Sequence, residues 1–172
     1  IPSGNVGIGT DNPITKLNVH SGNTNLAAQI VSDDAEVFLA FKDGNSTGNQ
    51  QVQIGGVGNT CVVYAGGNER VRIGDLGNTG IGVANPEDFH VKARNLVLAN
   101  GGDDVGITLD CDTDKEGSIY FADGSTGDNL RRGQIVYNHD GDSLRFVTNV
   151  SERMRIDSDG RLLVGLGATD TN

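Results

Sequence analysis

Large core-forming side chains are scarce in this chain of 172 residues: five Phe, three Tyr, one Met and no Trp. With so few wide apolar side chains, one chain is poorly supplied for a core of its own. Proline occurs three times, which excludes collagen and proline-rich linkers. Two cysteines, Cys61 and Cys111, exclude a disulfide-rich scaffold and make no metal-type spacing. Both are expected to serve as small buried apolar residues. No apolar run approaches the roughly 18–20 residues of a membrane helix, so no membrane insertion is expected. Basic residues form no run, and a net charge of −10 makes nucleic acid and anionic membrane surfaces poor partners. The chain opens at Ile1 without methionine or a signal-peptide pattern, and a fragment of a longer protein is expected.

Turn-forming residues are abundant. Gly, Asn and Asp account for 61 of the 172 positions, so turns must be frequent and elements short. The chain also repeats itself. Gly4-Asn5-Val6-Gly7-Ile8-Gly9 returns as Gly77-Asn78-Thr79-Gly80-Ile81-Gly82, an offset of 73. Asn-Pro follows each copy, at Asn12-Pro13 and Asn85-Pro86. Asp33-Asp34 matches Asp103-Asp104 at offset 70, and Phe41-Lys42-Asp43-Gly44 matches Phe121-Ala122-Asp123-Gly124 at offset 80. The second copy thus gains about ten residues, enough for one added strand between Cys111 and Tyr120. Glu69-Arg70-Val71-Arg72-Ile73 matches Glu152-Arg153-Met154-Arg155-Ile156 at offset 83, and a third copy starts at Gly160. Ile1 stands where an earlier Arg-x-Arg-Ile strand would end. The expected organisation is β repeat unit 1 over 1–76, unit 2 over 77–159, and the start of a third over 160–172.

Within each unit the apolar period is two. Val52 and Ile54, Val71 and Ile73, Leu144 and Phe146, and Met154 and Ile156 alternate with other residues, which predicts strands with one buried face. Leu144–Thr148 and Glu152–Ile156, joined by a turn at 149–151, read as a hairpin. Leu26–Ile30 has the look of a helical turn, but its counterpart Leu96-Val97-Leu98 favours a strand. The fold class is all-β: tandem β-rich units in an elongated array that packs against neighbours or other chains.

Motifs for chemistry fail one by one. Gly7-Ile8-Gly9, Gly56-Val57-Gly58, Gly80-Ile81-Gly82 and Gly165-Leu166-Gly167 start like dinucleotide loops, but the third glycine and the following helix are missing. Asp110, Asp112, Asp114 and Glu116 start like a calcium loop, yet Lys115 and Phe121 occupy the positions needing Gly and Glu. Asp157-Ser158-Asp159-Gly160 fails likewise, with Arg155 at its first position. His20, His90 and His139 are isolated, and no G-x-S-x-G elbow occurs. Arg70, Arg72, Arg153 and Arg155, beside Glu69 and Glu152, are expected to form cross-strand ion pairs on an exposed face. No catalytic, cofactor-binding or metal residue is assigned. The loops Asp43–Asn49 and Asp123–Asp128 hold polar groups of the kind that hydrogen-bond sugars.

Three segments resemble a phage tail-fibre family: Gly4–Thr10 with Asn12-Pro13 and Lys16–Val19; Ser151–Gly160; and Gly133-Gln134-Ile135 through Leu144-Arg145-Phe146. In that family such units lie in the distal fibre, often upstream of an auto-cleaving intramolecular chaperone domain. Nothing through Asn172 is similar to that chaperone, so no cleavage residue is carried over. The resemblance implies a homotrimer of parallel chains in a virion tail fibre, with other tail components and a host surface glycan as partners. The expected role is structural, supporting host attachment, without catalysis. Two other classes share the pattern. A polysaccharide-degrading tailspike segment would show a cleft with two carboxylates, and a bacterial surface-adhesin stalk would carry an anchor or signal nearby.

Overall fold

Alternating side chains make the strands of this protein, and the Gly-, Asn- and Asp-rich segments between them keep each strand to six residues or fewer. The computed structural model describes residues 4–23 and 25–165. Among these the regular elements are thirteen strands and two 3-10 turns, Pro86–Asp88 and Gly127–Arg131. The regular structure of the described residues is nearly all β, in three sheets. The strand end proposed at Ile1 and the glycine step through Leu166 lie outside the described residues. The chain divides into two compact units, Ile1–Val105 and Gly106–Asn172.

In the first unit β1 (Val6–Ile8) and β2 (Leu17–Val19) form a parallel pair. The main sheet contains β3 (Glu36–Phe41), β4 (Val52–Val57), β5 (Thr60–Ala65), β6 (Asn68–Ile73), β7 (Thr79–Ile81) and β8 (Leu96–Leu98), ordered as in the chain. It meanders antiparallel as far as β7, and β8 then lies parallel to β7. Parallel neighbours need a crossover, which residues 82–95 supply. Val83 and Pro86 from this crossover sit over Gly80, where a Cβ would come within 2.9 Å of Val83 Cγ1 and 3.5 Å of Pro86 Cδ. Leu26–Ile30 is neither helix nor strand.

The second unit is one antiparallel meander: β9 (Glu116–Phe121), β10 (Gly133–Asn138), β11 (Ser143–Thr148), β12 (Ser151–Ile156) and β13 (Leu162–Val164). The added length in the second sequence copy is not an added strand. Residues 104–112 have no regular structure, and β9 stands at offset 80 from β3. Val105, Ile107 and Leu109 alternate as strand residues do, but no neighbouring strand pairs with them. The strand of the glycine motif at Gly77 joins the sheet of the preceding motif: β7 hydrogen-bonds to β6, as β13 does to β12.

The Glu-Arg-x-Arg-Ile motif is a β-bulge. Tyr64 pairs with Glu69 while Val63 pairs with Val71, so Arg70 is the extra residue. Val147 pairs with Glu152 and Phe146 with Met154, leaving Arg153 extra. Residues three apart on a regular strand face opposite ways. The extra residue restores Glu69 to the side of Arg72. The ion pairs therefore run along one strand, not across strands: Arg72 grips Glu69 at 2.8 and 2.6 Å, and Arg155 grips Glu152 at 2.8 and 2.9 Å.

The turns before the two bulges differ chemically. Gly66 and Gly67 have φ of +62° and +75°, and the equivalent turn uses Asn149 at +49° and Val150 at +56°. Two positive φ values define the hairpin turn that favours Asn-Gly. A β-branched residue is strained there. Val150→Gly should therefore raise the stability of the protein by about 1 kcal/mol, seen as a higher urea midpoint. An unchanged or lower midpoint would show that Val150 gains more from packing than it loses in the turn.

Candidate functional site

Strand register decides which side chains share a face. In the first unit one row across the sheet reads Leu39, Ile54, Val63, Val71, Ile81, Leu98. The next reads Val37, Gly56, Cys61, Ile73, Thr79, Leu96. In the second unit a row reads Ile119, Ile135, Phe146, Met154, Val164, and the next Gly117, Tyr137, Leu144, Ile156, Leu162. Each sheet thus presents one almost entirely apolar face.

These faces are left largely open, although Val63, Val71, Leu98, Ile135, Phe146 and Met154 are half-buried. Leu39 is 46% exposed, Ile54 44%, Ile81 44%, Ile119 47%, Phe121 57% and Val164 70%. Burial lies instead on the opposite face. There Val62 (0%) and Val97 (6%) share a row with Phe38, Gly55, Arg72 and Gly80. In the second unit the matching row reads Ser118, Val136, Arg145, with Val136 (1%) buried at the place of Gly55. Each sheet thus buries valines on one face and leaves the richer apolar face partly open within one chain.

Cys61 corrects the sequence reading: it is exposed, on the open face of the first unit, and Cys111 is half-buried. The other singled-out residues stay apart. The backbone N–H of His20 donates to Ile8 O at 2.9 Å, His90 Nδ1 accepts from Lys92 N at 3.3 Å, and His139 packs edge-on against Tyr137 at 4.9 Å. Among the described residues no three His, Cys, Asp or Glu side chains come together as metal ligands. Asp114 pairs with Lys115 at 2.6 Å, and Glu116 pairs with Arg145. No helix among the described residues is long and apolar enough to cross a membrane.

The polar loops are organised by their own hydrogen bonds. Asp43 accepts from Ser46 Oγ at 2.8 Å and Asn45 N at 3.0 Å, and the Ser46 hydroxyl is the main cause holding its carboxyl below the usual range. Asp157 is lowered chiefly by the backbone N–H of Arg161, 2.9 Å away. The Tyr137 hydroxyl donates to Asp142 at 3.2 Å, which raises its pKa. In the 123–128 loop Asp128 and Asp123 are taken up by Arg131 and Arg132, at 3.0 and 3.4 Å. The Glu69 carboxylate raises the pKa of Arg72, and the Glu152 carboxylate that of Arg155. These four residues tie each bulged strand to itself.

No protein-family model matches the chain, and no curated protein matches it.

Proposed function

We propose that this chain is a structural and adhesive segment of a homotrimeric viral tail fibre, built of tandem β units, which supports host attachment and catalyses nothing. The observation that carries the reading is the pair of largely open apolar sheet faces. A chain that leaves such faces in water needs a partner surface of the same character, and copies of itself are the simplest supply. The unpaired apolar segments fit this arrangement. Leu26, Ile30 and Val31 are 69%, 56% and 72% exposed, and neighbouring chains would cover them.

The number three and the viral setting rest on the resemblance of Gly4–Val19 and Ser151–Gly160 to tail-fibre sequences. The tandem arrangement is supported by details beyond that resemblance. Gly9, Gly82 and Gly165 share φ values of +73°, +74° and +76°, each just after a three-residue strand. Gly82 N donates to Arg70 O and Gly165 N to Arg153 O, both at 2.9 Å. The bulged ion pair occurs once before each of these last two strands.

Gold-labelled antibodies raised against the chain should decorate the tail fibres of the virion that encodes it. Incubation of the chain with host surface polysaccharide should release no reducing ends. Labelling of another structure would overturn the fibre assignment, and released reducing ends would favour the tailspike alternative.

A further inference from the structure

The face opposite the open one carries a cleft of about 390 Å³ in the first unit, within the usual size range of small-molecule sites. Its wall includes two aromatic rings, Phe38 and Tyr64, packed edge to face with centroids 5.4 Å apart. Glycine makes room for them: a Cβ at Gly55 would lie 2.5 Å from Phe38 Cδ1. Around the rings stand Glu36 and the amides of Gln50, Gln51 and Gln53. Gln53 is 9% exposed and spends its Nε2 on Gln50 O at 2.8 Å. Among the described residues the side chains of Glu36, Gln50 and Gln51 and the Tyr64 hydroxyl have no hydrogen-bond partner.

We propose that this cleft binds one neutral hexopyranose unit of a surface polysaccharide. The proposal rests on the adhesive part of the function set out above and supplies its site. A pyranose offers an apolar C–H face and a rim of hydroxyls that both donate and accept. The cleft offers an aromatic surface, two free amides that donate and accept, and one carboxylate that accepts. Arg72, the cation that acts on Tyr64, is held by Glu69, and the Glu36 carboxylate with a net charge of −10 disfavours an acidic sugar.

The second unit sharpens the argument because it keeps the scaffold and lacks the site. Gln134 pairs with Val147 where Gln53 pairs with Tyr64, and Ser118 holds the place of Phe38. Arg131 and Arg132 replace Gln50 and Gln51. Glu116 is occupied by Arg145, where the first unit has Val62. The aromatic pair, the free amides and the free carboxylate are lost together.

The test is nuclear magnetic resonance titration of the ¹⁵N-labelled full chain. The probes are the methyl glycosides of glucose, galactose, mannose and N-acetylglucosamine, with glucuronate and choline as competing chemistries. At least one neutral glycoside should give saturable shifts at Glu36, Phe38, Gln50, Gln51 and Tyr64. Tyr64→Val and Phe38→Ser should each weaken it about tenfold. Each installs the residue that the second unit tolerates at that place, and a retained far-ultraviolet strand signal confirms folding. Absence of saturable shifts with all four glycosides, shifts centred on Ser118, Gln134 and Val147, or tighter binding of choline or glucuronate would each overturn the proposal. A trimer with a silent cleft fails this proposal alone. A monomer that binds the glycoside through Tyr64 fails the assembly and leaves the cleft standing.

Discussion

The purified chain should sediment at three times its 18.0 kDa mass, and Ile54→Asp should abolish that species. Ile54 lies mid-row, between Leu39 and Val63, with 44% of its surface left open by its own chain. Completing the remaining burial of such a side chain yields about 1 kcal/mol per chain, hence roughly 3 kcal/mol per trimer. That alone is about two decades in the association constant. A carboxylate at the same place must also be desolvated without a partner, which adds to the loss. Cys61 gives a local readout, because it lies on the same face one row away. In a Cys111→Ser background its thiol should resist a water-soluble disulfide reagent in the trimer and react freely in Ile54→Asp. Ile54→Val, which keeps an apolar group, should preserve both mass and protection. A folded monomer of the unaltered chain, with Cys61 freely reactive, would overturn shared burial. A dimer would keep shared burial and remove the threefold.

The fold class was legible because a period of two is a direct image of the strand. Val71 and Ile73, or Leu144 and Phe146, must point the same way once the chain is extended. What covers that face is not written in the same code. Alternation sorts residues into two sides, and only the neighbours present decide which side is dry. That is why Cys61 was expected to be buried and is exposed, while Gln53, on the polar side, is buried. The bulges were hidden for a related reason. Counting by twos places Glu69 and Arg72 on opposite faces, and only the skipped residue Arg70 reunites them. The inserted segment misled because Val105, Ile107 and Leu109 alternate without a neighbour, and a strand exists only when paired. The cleft was the least legible feature. Nothing in the spacing of Gly55 tells that it clears space for Phe38, and Phe38 meets Tyr64 only through the register of three strands.

Gly82→Ala should be among the most damaging single-methyl additions possible in this chain, costing about 3–5 kcal/mol. Gly82 ends β7 with φ at +74°, a conformation that costs an L-residue roughly 1–2 kcal/mol. Space makes the penalty larger, because the added Cβ would strike the carbonyl oxygen of Ala99. That contact cannot be relieved by a side-chain rotation. Ala99 is held in place by its N–H, which donates to Ile81 O at 3.0 Å, and Gly82 by its own N–H, 2.9 Å from Arg70 O. Either β8 must move away from β7, exposing Val97, or β7 must leave β6. Gly58→Ala is the matched control. Its φ is +56°, but nothing lies within 4 Å of the added methyl, so only the conformational cost of about 1–2 kcal/mol remains. Both variants should be unfolded in urea at the same protein concentration, since assembly makes stability concentration-dependent. The midpoint of Gly82→Ala should fall well below that of Gly58→Ala, and hydrogen exchange should show the extra loss at Thr79–Ile81 and Leu96–Leu98. The same collision awaits Gly9→Ala, whose Cβ would meet His20 O, so the two motif copies should respond alike. Equal midpoints for Gly82→Ala and Gly58→Ala would mean that β8 yields without cost, and that the glycine motif sets a turn without locking the parallel strand.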